Sequence, residues 1–253
     1  MLYSGDIGLY LSGAQVPIQG CGIFITPPTI KAITQYGETD FLTGVRMFSG
    51  DRSFIEPIKL TMPEMENMQD FQIILTVLNA DERVRDTAVR FFELICPDYK
   101  VEVTSRSLNF SIEGEDGIRG MLNAFNAQTF MRTLKELFWP PERDEQAFNP
   151  ANKKAEEIAR KLEAARRRNA QQTSGGDKAS IFGVYTSVLS VGLALDINVI
   201  YKYTPFQLYD CFNRYLKKTE YDLYLKIKTT PLMSTDKMEE KEHWAVNLYT
   251  MED

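Results

Sequence analysis

The sequence predicts an α+β protein: a strand-rich N-terminal domain that also contains helices, a charged linker helix and a small all-helical C-terminal domain. Three observations predict this organisation. In residues 1–148, apolar side chains alternate near both ends and recur with helical spacing between them. Residues 149–178 hold a highly charged helical pattern that gives way to Gly, Ser, Thr and Asp. Residues 179–253 return to helical spacing behind good N-cap residues.

Strands are predicted near both ends of the N-terminal domain. Ile7, Leu9 and Leu11 alternate with small or polar residues, and an extended run follows over Val16–Ile25. A hairpin is predicted over residues 101–112, where two alternating segments flank a Ser-Arg-Ser turn.

Between these strands the pattern is helical. Apolar residues recur at helical spacing in four segments, Ile30–Phe48, Met65–Asn79, Glu82–Cys96 and Gly117–Leu137. Gly37 interrupts the first segment, and Asp40 could cap a second helix there, so we expect two helices. A short extended connection is expected over Pro57–Pro63.

The linker helix has a charge opposite to that of the rest of the chain. Its pattern spans Asn152–Asn169 and carries seven basic and three acidic residues, a net charge of +4 in a chain of −6. Acid-first pairs at i,i+4 spacing, such as Glu156–Arg160, favour a solvated helix. The alternative is a docking arm whose Arg166, Arg167 and Arg168 meet an acidic partner. Nucleic acid is the less favoured partner, because a pI of about 5.1 opposes general binding to phosphates.

Two helices with a short turn between them are predicted in the C-terminal domain. Ser180 precedes a helix over Ile181–Leu195, and Asp196 caps a short turn after it. Thr204 caps a helix that starts at Pro205 and runs to Thr219, with Glu220–Lys228 continuing as helix or extended chain. Val184–Ile200 is too often interrupted by polar residues to span a membrane and is expected to be a buried helix.

Aromatic residues are denser in this domain than a core of its size needs, so some tyrosines should face outward as interface anchors. The predicted partner-binding residues are Arg166, Arg167, Arg168, Tyr201, Tyr203, Tyr209 and Tyr215.

No catalytic, metal or cofactor site is predicted. His243 is the single histidine and has no nucleophile beside it in the sequence. The turn Gly114–Gly120 lacks the glycine and lysine spacing of a phosphate-binding loop, and its acidic residues would repel an anion. Cys21, Cys96 and Cys211 lie far apart without CxxC spacing, so they are expected to be free thiols. The first residues lack the basic and apolar regions of a signal peptide. We therefore expect a protein that is not an enzyme and uses no cofactor.

Three stretches carry a family resemblance. PPTIKAITQYGETDFLTGVRMF (Pro27–Phe48), NPANKKAEEIARKLEAARRR (Asn149–Arg168) and IFGVYTSVLSVGLALDINVIYKYTPFQLYDCFNRY (Ile181–Tyr215) together resemble assembly proteins of long-tailed bacteriophages. The first is similar to a P-x-I-K-x-I segment near their start, the second to their linker helix and the third to their C-terminal helical module.

The resemblance implies a tail assembly chaperone in the host cell cytoplasm. Its partners would be tail proteins, namely the tape-measure protein, tube subunits or baseplate subunits, and self-association into a homo-oligomer is compatible with it. In this role the helix from Thr204 to Lys217 would cover the apolar stripes of a tape-measure chain before the tube forms. The alternative is a structural component of the tail or baseplate, with the strands of Ile7–Ile25 adding an edge to a neighbour.

Overall fold

The computed structural model describes residues 2–3, 6–115, 117–139, 180–230, 240, 243–245 and 249–251. These residues form an α+β structure in which helices dominate and the sheets are small, so the predicted fold class is confirmed. The predicted linker helix and the Gly/Ser-rich stretch after it lie outside the described residues.

Most helices lie in the N-terminal part of the chain. They are α1 (Ile7–Ser12), α2 (Ile30–Tyr36), α3 (Glu38–Phe48), α4 (Arg52–Thr61), α5 (Asp70–Ala80), α6 (Glu82–Ile95) and α7 (Ala127–Phe138). The C-terminal helices are α8 (Ile181–Leu193), α9 (Ile197–Ile200) and α10 (Pro205–Lys228).

The strands form three small sheets. They are β1 (Leu2–Tyr3), β2 (Val16–Ile18), β3 (Ile23–Ile25), β4 (Lys100–Val103), β5 (Ser107–Ser111), β6 (Gly120–Asn123) and β7 (Thr250–Met251). β2 and β3 form one antiparallel hairpin, and β4, β5 and β6 form an antiparallel sheet in that order. β1 pairs in parallel with β7, so the two ends of the described chain meet.

The prediction of a strand at Ile7–Leu11 is wrong, because these residues form α1. Asp6 caps the helix by accepting hydrogen bonds from the backbone N–H groups of Gly8 (2.8 Å) and Leu9 (3.2 Å). Gly13 ends it with a φ of +69°, in the left-handed region that glycine adopts without strain. In so short a segment the two capping residues decide the conformation, and the alternation does not.

The extended connection predicted over Pro57–Pro63 is also wrong. Pro57 lies inside α4, whose N-terminus is capped by Asp51 through the backbone N–H of Ser53 (3.0 Å). α4 ends at Thr61, Pro63–Met65 forms a single 3-10 turn, and α5 begins at Asp70 rather than at the predicted Met65.

The helix predicted over Gly117–Leu137 is in fact a strand followed by a shorter helix. β6 pairs with β5 as the third strand of the sheet. It also contacts the β2–β3 turn, because the Met121 N–H donates to the Cys21 carbonyl at 2.9 Å. A Cβ at Gly120 would lie 2.4 Å from Cγ2 of Ile23, so the glycine permits this close approach. The remainder of the segment forms α7.

The extended run predicted over Val16–Ile25 is instead the hairpin β2–β3, with a turn between the strands. The predicted cap at Asp40 is wrong, because Asp40 lies inside α3, which begins at Glu38. The hairpin β4–β5 and the remaining helices are confirmed. β4 and β5 pair around the expected turn, and Gly37 separates α2 from α3. Ser180, Asp196 and Thr204 cap α8, α9 and α10 as expected, and α10 runs on without a break to Lys228.

The buried side chains form one continuous apolar core. In its centre the Phe48 ring lies between Phe91 and Phe92, with centroids 5.9 and 4.7 Å away. Phe41 extends this cluster towards the C-terminal helices, because its ring lies 6.2 Å from that of Phe182 on α8. α8 and α10 thus share the core of the N-terminal elements. The predicted domain boundaries stay a prediction.

Polar contacts reinforce this packing. The Glu38 carboxylate at the start of α3 accepts hydrogen bonds from the backbone N–H groups of Ile181 (2.6 Å) and Phe182 (3.3 Å) and from the Ser180 hydroxyl. It adds an acidic cap to the N-terminus of α8, where the helix dipole favours negative charge. In the core, the hydroxyl of Tyr10 donates to Oε2 of the buried Glu136 at 2.9 Å.

Candidate protein-binding surfaces

α8 presents a stripe of apolar side chains to solvent. Ile181, Val184 and Val191 are 38%, 49% and 87% exposed, and Val188, which is half-buried against the core, lies between them. The spacing of these four residues, i, i+3, i+7 and i+10, places them on one face of a helix over about three turns. We call this set the α8 stripe.

The opposite face of α8 is buried. Phe182, Thr186 and Leu189 are each at most 1% exposed. Near the C-terminal end of α8, Gly192 lies beside Val188 rather than on this buried face, and it lets α10 approach closely, because a Cβ there would lie 2.4 Å from the Tyr215 ring. The prediction of a buried helix over Val184–Ile200 is therefore right for one face and wrong for the other. α8 is apolar on both faces, and in sequence this pattern is the same as that of a fully buried helix.

The next helix extends the apolar surface. Ile197 and Val199 on α9 are 42% and 43% exposed. The backbone ties α9 to α2, since the N–H groups of Ile30 and Lys31 donate to the carbonyls of Tyr203 (2.8 Å) and Tyr201 (3.0 Å) just after it. These two hydrogen bonds fix α9, and with it the exposed Ile197 and Val199, relative to α2.

A cleft of about 510 Å³ lies beside α10. It is lined by residues from α1, α8, α10 and the C-terminal end of the chain: Leu11, Leu193, Tyr203, Gln207, Asp210, Cys211, Arg214, Tyr215, Lys218 and Trp244. Its volume lies in the range of sites that bind small ligands or the side chains of a partner.

Two polar residues of the cleft, Asp210 and Arg214, form an ion pair that also binds Tyr249 of the C-terminal end. Nε of Arg214 is 3.1 Å from both carboxylate oxygens of Asp210, and Asp210 also accepts a hydrogen bond from the hydroxyl of Tyr249. This interaction fixes the C-terminal end against α10.

Gln207 joins the cleft to α1. Its Nε2 donates to the Leu11 carbonyl at 2.7 Å, while its Oε1 accepts from the Thr204 N–H at 2.8 Å and completes a capping box. Gln207 therefore links the end of α1 to the start of α10 at the edge of the cleft.

The described residues at the end of the chain, 240, 243–245 and 249–251, run along α10 in the opposite direction. We call them the C-terminal strap. Glu240 lies 3.8 Å from Nζ of Lys228. The His243 ring lies 5.0 Å from that of Tyr221, about two turns nearer the N-terminus of α10. Tyr249 then stacks on Phe206 near the start of α10, with ring centroids 5.6 Å apart.

The predicted partner-binding tyrosines fall into different environments. Tyr203 and Tyr215 are half-buried and line the cleft, and Tyr201 is half-buried beside α9. Tyr209 is 4% exposed between α8 and α10, where burial, followed by Tyr185 and Glu38, raises the pKa of its hydroxyl. A partner could reach Tyr209 only if the helices separated. Arg166, Arg167 and Arg168 lie outside the described residues.

The cysteines are free thiols in the structure, as predicted. Cys21 and Cys96 are buried, and Cys211 is half-buried in the cleft wall. Burial, with Asp210 as the second cause, raises the pKa of Cys211, while Arg214 opposes the shift. At neutral pH the thiol is thus protonated and weakly nucleophilic.

Among the residues that the structure describes, no group of three or more His, Cys, Asp and Glu side chains is arranged to hold a metal ion. His243 is exposed and lies against the rings of Tyr221 and Trp244. None of the helices that the structure describes is long and apolar enough to cross a membrane.

No family model matches this chain, and neither a curated protein nor a solved structure is similar enough to it to count as a match. The site must therefore be interpreted from its own geometry.

Proposed function

We propose that this protein is a non-enzymatic tail assembly protein of a long-tailed bacteriophage, acting in the host cytoplasm as a chaperone of the tape-measure protein. The α8 stripe carries this proposal within the structure. The bacteriophage setting is proposed from the resemblance of residues Ile181–Tyr215 to the C-terminal module of phage assembly proteins.

The α8 stripe fits a helical partner. Ile181, Val184, Val188 and Val191 form a row that a second helix can pair with through its own apolar residues at i, i+3 and i+7. Keeping such a row in water is unfavourable, at about 25 cal/mol per Å² of apolar surface, and contiguous exposed apolar surface marks interaction sites. A tape-measure chain, long and helical, would present matching stripes along its length.

The first test is co-expression of the chain with the tape-measure protein, followed by measurement of the soluble fraction and of the complex by affinity capture. We expect the complex to form and the tape-measure protein to stay soluble. The double substitution Val184→Ser and Val191→Ser should weaken capture by about tenfold, corresponding to about 1.4 kcal/mol. Leu60→Ser is the matched control, because Leu60 is 83% exposed on α4, away from the stripe.

Two results would contradict the proposal. One is capture that the stripe substitutions weaken no more than Leu60→Ser does. The other is a fixed number of copies in purified particles by quantitative mass spectrometry, because a chaperone leaves before the particle is complete. The second result would indicate the structural tail component instead.

A further inference from the structure

We propose that the cleft beside α10 binds a small organic carboxylate, namely an anion that carries an aromatic or branched apolar group. Such a site goes beyond the chaperone role, because its residues are separate from the α8 stripe. Three properties of the cleft favour this ligand: cationic side chains in a row, hydrogen-bond donors that are still available, and an apolar wall that is already in place.

One face of α10 supplies the charged groups of the cleft. Asp210, Arg214 and Lys218 follow one another at i,i+4 spacing, which places their side chains in a row along the helix. Two of these three charges are positive, in a chain whose net charge is −6. The row therefore favours an anionic ligand over a cationic one.

The hydrogen-bond acceptors of the cleft are already engaged, whereas donors remain. Both carboxylate oxygens of Asp210 accept from Nε of Arg214 at 3.1 Å, and the carboxylate also accepts from the Tyr249 hydroxyl. Oε1 of Gln207 accepts from the Thr204 N–H at 2.8 Å. Among the described residues, the hydrogen bonds of Arg214 use only Nε, so its two Nη groups can bind a carboxylate.

Lys218 lies one helical turn beyond Arg214 and can reach the same anion. Its Nζ donates to Asp222 at 2.7 Å, and the two side chains are 48% and 45% exposed. An ion pair this exposed contributes little to stability, and an ammonium group has three N–H donors. Lys218 can therefore bind a ligand carboxylate beside Arg214.

The wall opposite these cations is aromatic and held in place. Tyr203, Tyr215 and Trp244 supply its rings. Tyr215 packs against α8 at Gly192, where a Cβ would lie 2.4 Å from Cζ of the tyrosine. The carbonyl of Tyr203 accepts from the Ile30 N–H at 2.8 Å. A planar apolar group can bind such a wall at a low ordering cost, and about 510 Å³ suits a small molecule.

A free carboxylate fits this cleft better than the end of a polypeptide. The last residue of a polypeptide also carries a carboxylate and a side chain, but its backbone N–H groups need acceptors. In the cleft the oxygens of Asp210 and of the Gln207 amide already accept hydrogen bonds. We therefore assign the site to a small molecule that accepts hydrogen bonds.

The test uses isothermal titration calorimetry of the purified full-length chain with hydrocinnamate, a phenyl ring on a short carboxylate chain. We expect one site with a Kd of about 1 mM or below. Hydrocinnamamide has the same shape without the charge and should bind at least about tenfold more weakly. Equal affinities of the acid and the amide would overturn the proposal, as would the absence of saturable binding of hydrocinnamate.

Substitutions on α10 identify the cations. Lys218→Gln and Arg214→Gln should each weaken hydrocinnamate binding by at least about fivefold. Lys217→Gln is the matched control, because Lys217 is exposed beside Lys218 but does not line the cleft. Circular dichroism and the denaturant midpoint show that each variant is folded. Since Arg214→Gln also removes the partner of Asp210, Lys218→Gln is the decisive variant. The proposal fails if Lys218→Gln binds hydrocinnamate as tightly as Lys217→Gln does.

Cys211 reports where the ligand binds. Saturating hydrocinnamate should slow alkylation of Cys211 by iodoacetamide several-fold, because the thiol lines the cleft. Binding that leaves the Cys211 rate unchanged would place the ligand elsewhere and overturn the proposal.

The tripeptide Gly-Gly-Phe distinguishes the two sources of a carboxylate. It should bind more weakly than hydrocinnamate, because its backbone N–H groups lack acceptors in the cleft. Tighter binding of the tripeptide would overturn the assignment to a small molecule and indicate that the cleft takes the end of a polypeptide.

Discussion

Glu38 Oε1, at the first position of α3, accepts a hydrogen bond of 2.6 Å from the backbone N–H of Ile181, at the first position of α8. These two residues are far apart in the sequence, yet the Glu38 carboxylate caps the N-terminus of α8. Glu38 also receives the N–H of Phe182 and the hydroxyl of Ser180, so it satisfies donors that the helix itself leaves unpaired.

Replacing this carboxylate should loosen α8. We expect Glu38→Ala to lower the free energy of unfolding by about 1 kcal/mol, because a side-chain cap contributes about 0.5–2 kcal/mol and the negative charge favours the helix N-terminus. Urea denaturation measures the loss. Glu56→Ala on the exposed face of α4 is the matched control and should change stability by less than about 0.5 kcal/mol. Equal effects of the two substitutions would contradict the capping role.

The Tyr10–Glu136 hydrogen bond should be more sensitive, because both residues are buried. Removing the hydroxyl in Tyr10→Phe takes one donor from a carboxylate that is 2% exposed. We expect a loss of about 1–3 kcal/mol in the free energy of unfolding.

A double-mutant cycle with Glu136→Met, which has a similar length and no oxygen acceptor, separates this contact from the general effect of each substitution. The two changes should be non-additive by at least about 0.5 kcal/mol, since Tyr10→Phe removes the donor and Glu136→Met the acceptor of the same hydrogen bond. Additive losses would mean that the hydrogen bond contributes nothing to folding.

The local signals in the sequence were sufficient where a cap or turn residue fixes the backbone. Ser180, Asp196 and Thr204 predicted the starts of α8, α9 and α10, and the alternation of residues 101–112 predicted β4 and β5. Local signals were insufficient where a contact between residues far apart in the sequence decides the conformation. β6 pairs with β5 and also contacts the β2–β3 turn, which Gly120 lets approach, and nothing near residue 120 in the sequence indicates either partner.

The candidate binding surfaces were only partly predictable for the same reason. The sequence selected Tyr203 and Tyr215, which do line the cleft, but it could not distinguish them from the buried Tyr209. All three lie on or near α10, and the packing of α8 decides which of them is covered. The exposed α8 stripe was missed, because a helix that is apolar on both faces looks buried in sequence.

Gly44 marks a close contact that any larger residue should disturb. A Cβ on this residue of α3 would lie 2.3 Å from the Phe91 ring on α6. Gly44→Ala should therefore destabilise the fold by about 1–3 kcal/mol, despite the higher helix propensity of alanine.

Thermal unfolding of Gly44→Ala provides the measurement, with Thr43→Ala on the same helix as the control. Adding Phe91→Leu to Gly44→Ala should cost less than the sum of the two separate effects, because the ring that clashes is then gone. An unchanged midpoint for Gly44→Ala would show that α3 and α6 do not pack as closely as described.

Cys211 offers a chemical probe of the strap. The half-buried thiol lines the cleft together with Trp244, whereas Cys21 and Cys96 are buried. Tyr249→Phe removes the hydroxyl that binds Asp210, so the strap should detach more often and alkylation of Cys211 should accelerate several-fold. Mass spectrometry after a pulse of iodoacetamide identifies the modified residue.

Two results would contradict this prediction. Faster modification of Cys21 or Cys96 would indicate that the substitution loosens the core. An unchanged Cys211 rate would indicate that the strap does not cover the thiol.

Alkaline pH should destabilise the protein, and Cys21 should account for part of the effect. Burial raises the pKa of the Cys21 thiol to about 11 from its ordinary value of 9.0. Below about pH 9 the thiol is protonated in both states, and its contribution to stability is fully present. Between pH 9 and pH 11 the unfolded chain loses the proton and the folded chain keeps it, so stability falls as the pH rises.

This contribution should amount to about 1 kcal/mol between pH 8 and pH 10, since one pKa unit corresponds to about 1.4 kcal/mol. The measurement is the urea midpoint as a function of pH for the wild type and for Cys21→Ala. Burial also raises the pKa values of Cys96, Tyr10 and Tyr209, so the variant should retain a decline of its own. Its decline should nevertheless be shallower than that of the wild type. Parallel curves for the two proteins would mean that the Cys21 thiol ionises equally in the folded and unfolded chains.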